Sequence, residues 1–172
     1  MTTNAERLRI ALAGAERQAA DFRKQLEKEE AERGFQFLTD YRVGDAIIEL
    51  VMAAKERLDL VSPFRWNWKL FEQEVLAAQR RKVAVTLYVR EFDNLPSQLY
   101  YECEAIALGR QLNPIIYVSE QAAILCSHNA WARYGMEVIE TGMLITDKDV
   151  RLHIDSYIDS LKERQARRGQ FG

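Results

Sequence analysis

From Asp45 to Ile145 the chain alternates helix-patterned stretches with short apolar runs, which restricts it to a layered α/β domain. The firmest run is Val83–Val89 (VAVTLYV), where β-branched and aromatic side chains favour extended backbone. A second, Leu58–Ser62 (LDLVS), stops at Pro63, which has no N–H to give a strand ladder. Ile115–Val118 and Ala122–Ser127 read as strands around the polar turn Ser119-Glu120-Gln121, and Thr141–Ile145 (TGMLI) as one more. Between them, Asp45–Leu58, Asn67–Arg81 and Ser97–Arg110 carry apolar residues at helical spacing. Asp147 caps a last helix that runs to about Arg168. The expected architecture is an α-β-α sandwich around a central mixed sheet, spanning 35–172.

Residues 1–34 form a separate, helical unit. Asn4 is placed to cap it and Gly34 to end it. Ala5, Leu8, Leu12, Ala15, Ala19, Phe22 and Leu26 alternate spacings of three and four, the a/d seam of a coiled coil. Around the seam stand seven Lys/Arg and seven Asp/Glu. Two readings follow: a helix lying on its own domain, or an arm that pairs with a second copy.

Composition narrows the chemistry. The 24 Lys+Arg nearly balance the 26 Asp+Glu, so the chain is no general polyanion binder; any phosphate site must be local. Two histidines, His128 and His153, and two distant cysteines, Cys103 and Cys126, supply neither a zinc cluster nor a disulfide framework. No metal and no cofactor is expected. There is no signal-peptide pattern and no apolar stretch of membrane-spanning length, so the expected setting is cytoplasmic. Glycines stand in neither a dinucleotide fingerprint nor a P-loop, and no nucleophile elbow occurs.

Four segments in order resemble the phospholipase D-like phosphodiesterase superfamily, over roughly 43–162. Ala46–Phe64 (AIIELVMAAKERLDLVSPF) is similar to that family's first helix and strand, and QEVLAAQRRKVAVTLYVRE to its next helix–strand unit. The stretch from Leu112 to Ile145 follows the layout of its catalytic region. The resemblance implies a His-x-Lys pair, an acid in a turn, then Ser-x-Asn and a later Glu. In such a site one histidine attacks phosphorus and a second, from another motif copy, protonates the leaving oxygen. Lysine and asparagine offset the charge on the other oxygens. A chain with one copy would dimerise to supply both histidines.

By the family's spacing, Asn113 stands at the histidine position and Ile115 at the lysine position. Glu120 falls in the turn, and Ser127, Asn129 and Glu140 fall where Ser, Asn and Glu are expected. An amide forms no phosphohistidine and an isoleucine balances no phosphate charge, so the expected site is degenerate and not catalytic. His128 is an outside candidate for a displaced nucleophile; on an alternating strand end it points away from Ser127 and Asn129. Ser127 and Asn129 have a plain alternative as ties between a strand end and its loop.

Two further clusters are candidates for ligand binding. Arg80, Arg81 and Lys82, with Arg90 and Arg110, form a possible basic patch, opposed by Glu72, Glu74 and Glu91. Trp66 and Trp68 follow the first strand in a loop, where they either anchor a ligand or cover the sheet; Tyr100 and Tyr101 could join them. The leading expectation is an inactive phospholipase D-like domain that binds, scaffolds or regulates as a homodimer, with a protein partner possible. The alternatives are a phosphodiesterase or nuclease with a rearranged site, and a nucleic-acid-binding module. The last is disfavoured by the 12 Lys+Arg against 16 Asp+Glu in residues 35–150.

Overall fold

The computed structural model describes residues 4–39, 41–63, 71–110, 112–127 and 141–168. In chain order the elements are α1 (Asn4–Glu32), β1 (Phe35–Thr39), α2 (Tyr41–Ala53), β2 (Arg57–Val61), α3 (Glu72–Arg80), β3 (Ala84–Val89), α4 (Ser97–Glu102), β4 (Glu104–Ala107), β5 (Ile115–Ser119), β6 (Ala123–Cys126), β7 (Thr141–Ile145) and α5 (Lys148–Arg168). The strands make one seven-stranded sheet in the order β1-β7-β6-β5-β2-β3-β4. β2, β3 and β4 run parallel, and the remaining pairs are antiparallel.

Each buried strand feeds two cores because successive side chains alternate faces. On one face Leu58, Leu60, Leu87, Ile115, Tyr117 and Ile124 meet α2, α3 and α4. On the other Val61, Tyr88, Val118, Ala123 and Ile145 meet Ile154, Ile158 and Leu161 of α5. Asp59 also points to the α5 face and is 1% exposed. It is held there by Arg57 Nε at 2.7 Å, Lys162 Nζ at 3.6 Å and the Tyr88 hydroxyl at 3.1 Å. Arg57 also pairs with Asp155, so these charges tie β2 to α5. Burial, and then the Asp59 charge, pushes the Tyr88 phenol up, so it stays a proton donor.

Two strands are not among the elements expected from the sequence. Ser97–Arg110 is not one helix: α4 ends at Glu102, and Glu104–Ala107 adds an edge strand beside β3. Thr86, Leu87, Tyr88 and Val89 pair with Glu104, Ala105, Ile106 and Ala107, so tertiary ladder bonds override a local helical pattern. Phe35–Thr39 is likewise a strand, the opposite edge of the sheet, paired with β7. Gly34 makes that entry possible. Its φ is +73°, and a Cβ there would lie 2.7 Å from the Asp147 nitrogen. The Gly34 carbonyl accepts from Thr146 and Asp147 N–H, and Asp147 in turn caps α5 through Asp149 and Val150 N–H.

Among the described elements α1 packs chiefly on β1. Its root is fixed by Arg42 on Glu27 at 3.3 Å and by Phe37 N–H on Glu30. The rest stands clear of the domain, with Ile10 66%, Leu12 62% and Phe22 62% exposed. No helix among the described residues is long and apolar enough to cross a membrane.

Candidate functional site

Parallel strands of an α/β sheet end in loops that are free to carry function. Here β2 and β3 end at Val61 and Val89, and the antiparallel register brings the start of β5, the end of β6 and the start of β7 to the same edge. That edge gathers Ser62, Arg90, Asn113, Ser127 and Thr141. It also receives Arg110, which follows β4, because β4 runs parallel to β3.

Asn113 sits just outside β5 and is exposed. Its side-chain oxygen accepts from Arg90 Nη2 at 2.7 Å, while Arg90 Nε donates to the Leu112 carbonyl at 2.8 Å. The amide at the expected nucleophile position is thus fastened to a cation by its acceptor end. Ile115, at the expected lysine position, is 3% exposed and belongs to the core under α2 and α3. It lies opposite Cys126 of β6, so its side chain fills the sheet's inner face.

Ser127 closes the β6–β7 pair. Its N–H donates to the Thr141 carbonyl at 2.8 Å, and its hydroxyl accepts from Thr141 N–H at 3.1 Å. Both bonds serve the backbone, the role short polar side chains take at strand ends. His128, Asn129 and Glu140 lie outside the described residues, as do Trp66 and Trp68.

Glu120 is at the other end of β5 and does not meet Asn113. Its carboxylate accepts from the backbone N–H of Lys55 at 3.0 Å, Glu56 at 3.4 Å and Arg57 at 3.3 Å. Burial opposes its charge, but these donors prevail and hold the carboxyl below its ordinary value. The basic triplet is at that end too. Arg81 Nη2 caps α2 through the carbonyls of Val51, Met52 and Ala54. Lys82 turns the chain with φ +69°, and Arg80 is exposed. The six residues of β3 hold the triplet about 20 Å from Arg90, so the five basic residues form no single patch.

The loop after Arg90 builds a feature of its own. Phe92, Tyr100 and Tyr101 stack edge to face, with ring centroids 5.5 and 5.3 Å apart. With Asp93, Leu95 and Ser97 they line an open cleft of about 650 Å³. Tyr101 is 82% exposed. Cys103 is half-buried, and burial followed by the Glu102 charge pushes its thiol up to about 11, away from thiolate chemistry. Among the described residues no group of three or more His, Cys, Asp or Glu is placed to hold a metal ion.

In the sequence Arg90 stands out only as a member of the basic patch, and nothing there pairs it with Asn113. Its signal was the Val89-Arg90 end of the strongest strand, which a parallel neighbour must carry to the functional edge.

No family model and no curated protein sequence matches the chain. Solved structures do. TrmBL2, described as an archaeal chromatin protein that shows a novel mode of DNA binding, is similar over 93% of this chain and 66% of its own, at 14% identity and a TM-score of 0.59. The chain therefore spans about two thirds of that protein's length. NucT from Helicobacter pylori is similar over 75% of this chain and 96% of its own, at 14% identity and a TM-score of 0.56. Nuc from Salmonella typhimurium, described as a phospholipase D family member, is similar over 76% and 92%, at 12% identity and a TM-score of 0.56. The fold is phospholipase D-like.

Proposed function

We propose that this phospholipase D-like fold is a binding domain that does not hydrolyse phosphodiesters, and that it works as a homodimer. One observation carries the first part: the position where the resemblance puts the charge-balancing lysine holds Ile115, sealed in the apolar core. A phosphoryl transition state gathers negative charge, and a buried aliphatic side chain offers it nothing. Asn113, at the nucleophile position, carries no group that can hold a phosphoryl. Purified protein should show no turnover of bis-p-nitrophenyl phosphate, DNA, RNA or phosphatidylcholine. Turnover abolished by Asn113→Ala or His128→Ala would instead establish a rearranged phosphodiesterase site.

A second reading, binding of nucleic acid without cleavage, is favoured by the likeness to TrmBL2. Arg90 and Arg110 at the functional edge, beside an aromatic cleft, are the residue types that grip phosphate and stack bases. The net charge of −4 over residues 35–150 weighs against a broad footprint. Binding to single-stranded DNA that weakens with salt and with Arg90→Ala would support it; no binding at low salt would remove it.

A further inference from the structure

We infer that α1 pairs with α1 of a second copy in antiparallel orientation, in one particular register. The inference rests on the homodimeric reading and gives it a geometry.

A 29-residue helix with Leu12, Phe22 and Ile10 in solvent lacks the tertiary packing that holds most helices together. Its seam needs a cover, and among the described elements this domain packs on α1 chiefly at the root, on β1. The seam itself says what fits. Ala15 and Ala19 precede Phe22 and Leu26. A parallel, in-register pair would set each alanine against its own copy, leaving voids, and would set Glu29 on the seam against the partner's Glu29. An antiparallel pair can set Ala15 against the partner's Leu26 and Ala19 against the partner's Phe22, and by symmetry the reverse. Four consecutive layers then each hold one small and one large side chain. Leu12 falls opposite the partner's Glu29.

Charge selects the same register independently. The residues flanking one side of the seam are Arg9, Glu16, Arg23 and Glu30, alternating in sign every seven positions. In an antiparallel pair this flank meets itself. The register that matches small with large brings Arg9 near the partner's Glu30 and Glu16 near the partner's Arg23, so all four contacts are attractive. The other flank carries Ala11, Gln18 and Gln25, which repel nothing. In a parallel pair the charged flank meets that neutral one, and the alternation has no use.

The test uses the full chain and solution mass by light scattering across concentration. A dimer is expected, turned to monomer by Phe22→Asp with the thermal transition of the domain unchanged. Glu16→Arg should weaken the dimer about tenfold, since it makes two contacts repulsive, and Glu16→Arg with Arg23→Glu should restore it to within about twofold. Orientation is read by disulfide capture with both native cysteines replaced by alanine. Leu12→Cys chains mixed with Glu29→Cys chains should cross-link, and Leu12→Cys chains alone should not. Cross-linking of Leu12→Cys alone, or failure of the double charge swap to rescue, overturns the register. A dimer that survives Phe22→Asp overturns the α1 pairing but leaves the homodimeric reading; a monomer at every concentration ends both.

Discussion

The two ends of β5 carry residues from one implied motif, and they have fared differently. At one end Glu120 still does what a turn acid can do for a fold, accepting backbone N–H groups from the start of β2. At the other, Asn113 and Ile115 stand where the resemblance implies the residues of phosphoryl chemistry. Ser127 sides with Glu120, since its hydroxyl and N–H both serve the β6–β7 joint. Among the described positions of the implied motif, Glu120 and Ser127 have a structural duty, and on the reading proposed above Asn113 and Ile115 serve no phosphoryl chemistry. A likeness of fold and motif layout therefore does not by itself establish activity.

The largest test of this contrast is Ile115→Lys. If the position is core, an ammonium there costs on the order of 3 kcal/mol and lowers the urea midpoint sharply. Unchanged stability would mean that Ile115 faces a pocket able to take a cation, and the contrast would collapse. Next comes Glu120→Gln, which removes charge from an acceptor of several N–H donors. It should cost about 1 kcal/mol near neutral pH, a figure kept small for partial exposure. The folded carboxyl is held below its ordinary value, so this contribution is complete above the unfolded value of 4.5 and fades as pH falls through the folded one. Urea melts of both proteins from pH 7 downward should converge in acid; a gap constant with pH would assign the loss to packing instead.

Ser127→Ala should cost about 0.5–1 kcal/mol, the worth of one backbone-directed hydrogen bond, while leaving any ligand affinity unchanged. A loss of binding without a loss of stability would return Ser127 to a ligand site. Asn113→Ala should be the mildest, within about 0.5 kcal/mol, because Asn113 is exposed and its partner Arg90 keeps the Leu112 carbonyl.

Much of this was legible in the sequence. β3, β5, β6 and β7 fell close to their expected spans; the apolar, β-branched runs of β3 and β5 are buried on both faces and announce themselves, and β6 and β7 follow as shorter apolar runs. The short edge strands escaped for the opposite reason. Phe35–Thr39 and Glu104–Ala107 are half-covered, and ladder bonds to a neighbour, not local pattern, decide them. The site showed the same divide. The spacing that put Ile115 at the lysine position was readable, but its burial was not. Nor could spacing reveal that Arg81 is spent capping α2 or that Arg90, on the far side of β3, fastens Asn113. Those facts depend on which sheet end a residue occupies.

The proposal that this site carries out no phosphorus chemistry is tested most directly by looking for the covalent intermediate. The protein is incubated with a phosphodiester substrate, quenched in alkali to preserve phosphohistidine, and its intact mass is measured. The unmodified mass is expected at every time point. An adduct with the mass of the substrate less its leaving alcohol, appearing with substrate and vanishing in His128→Ala, would contradict it.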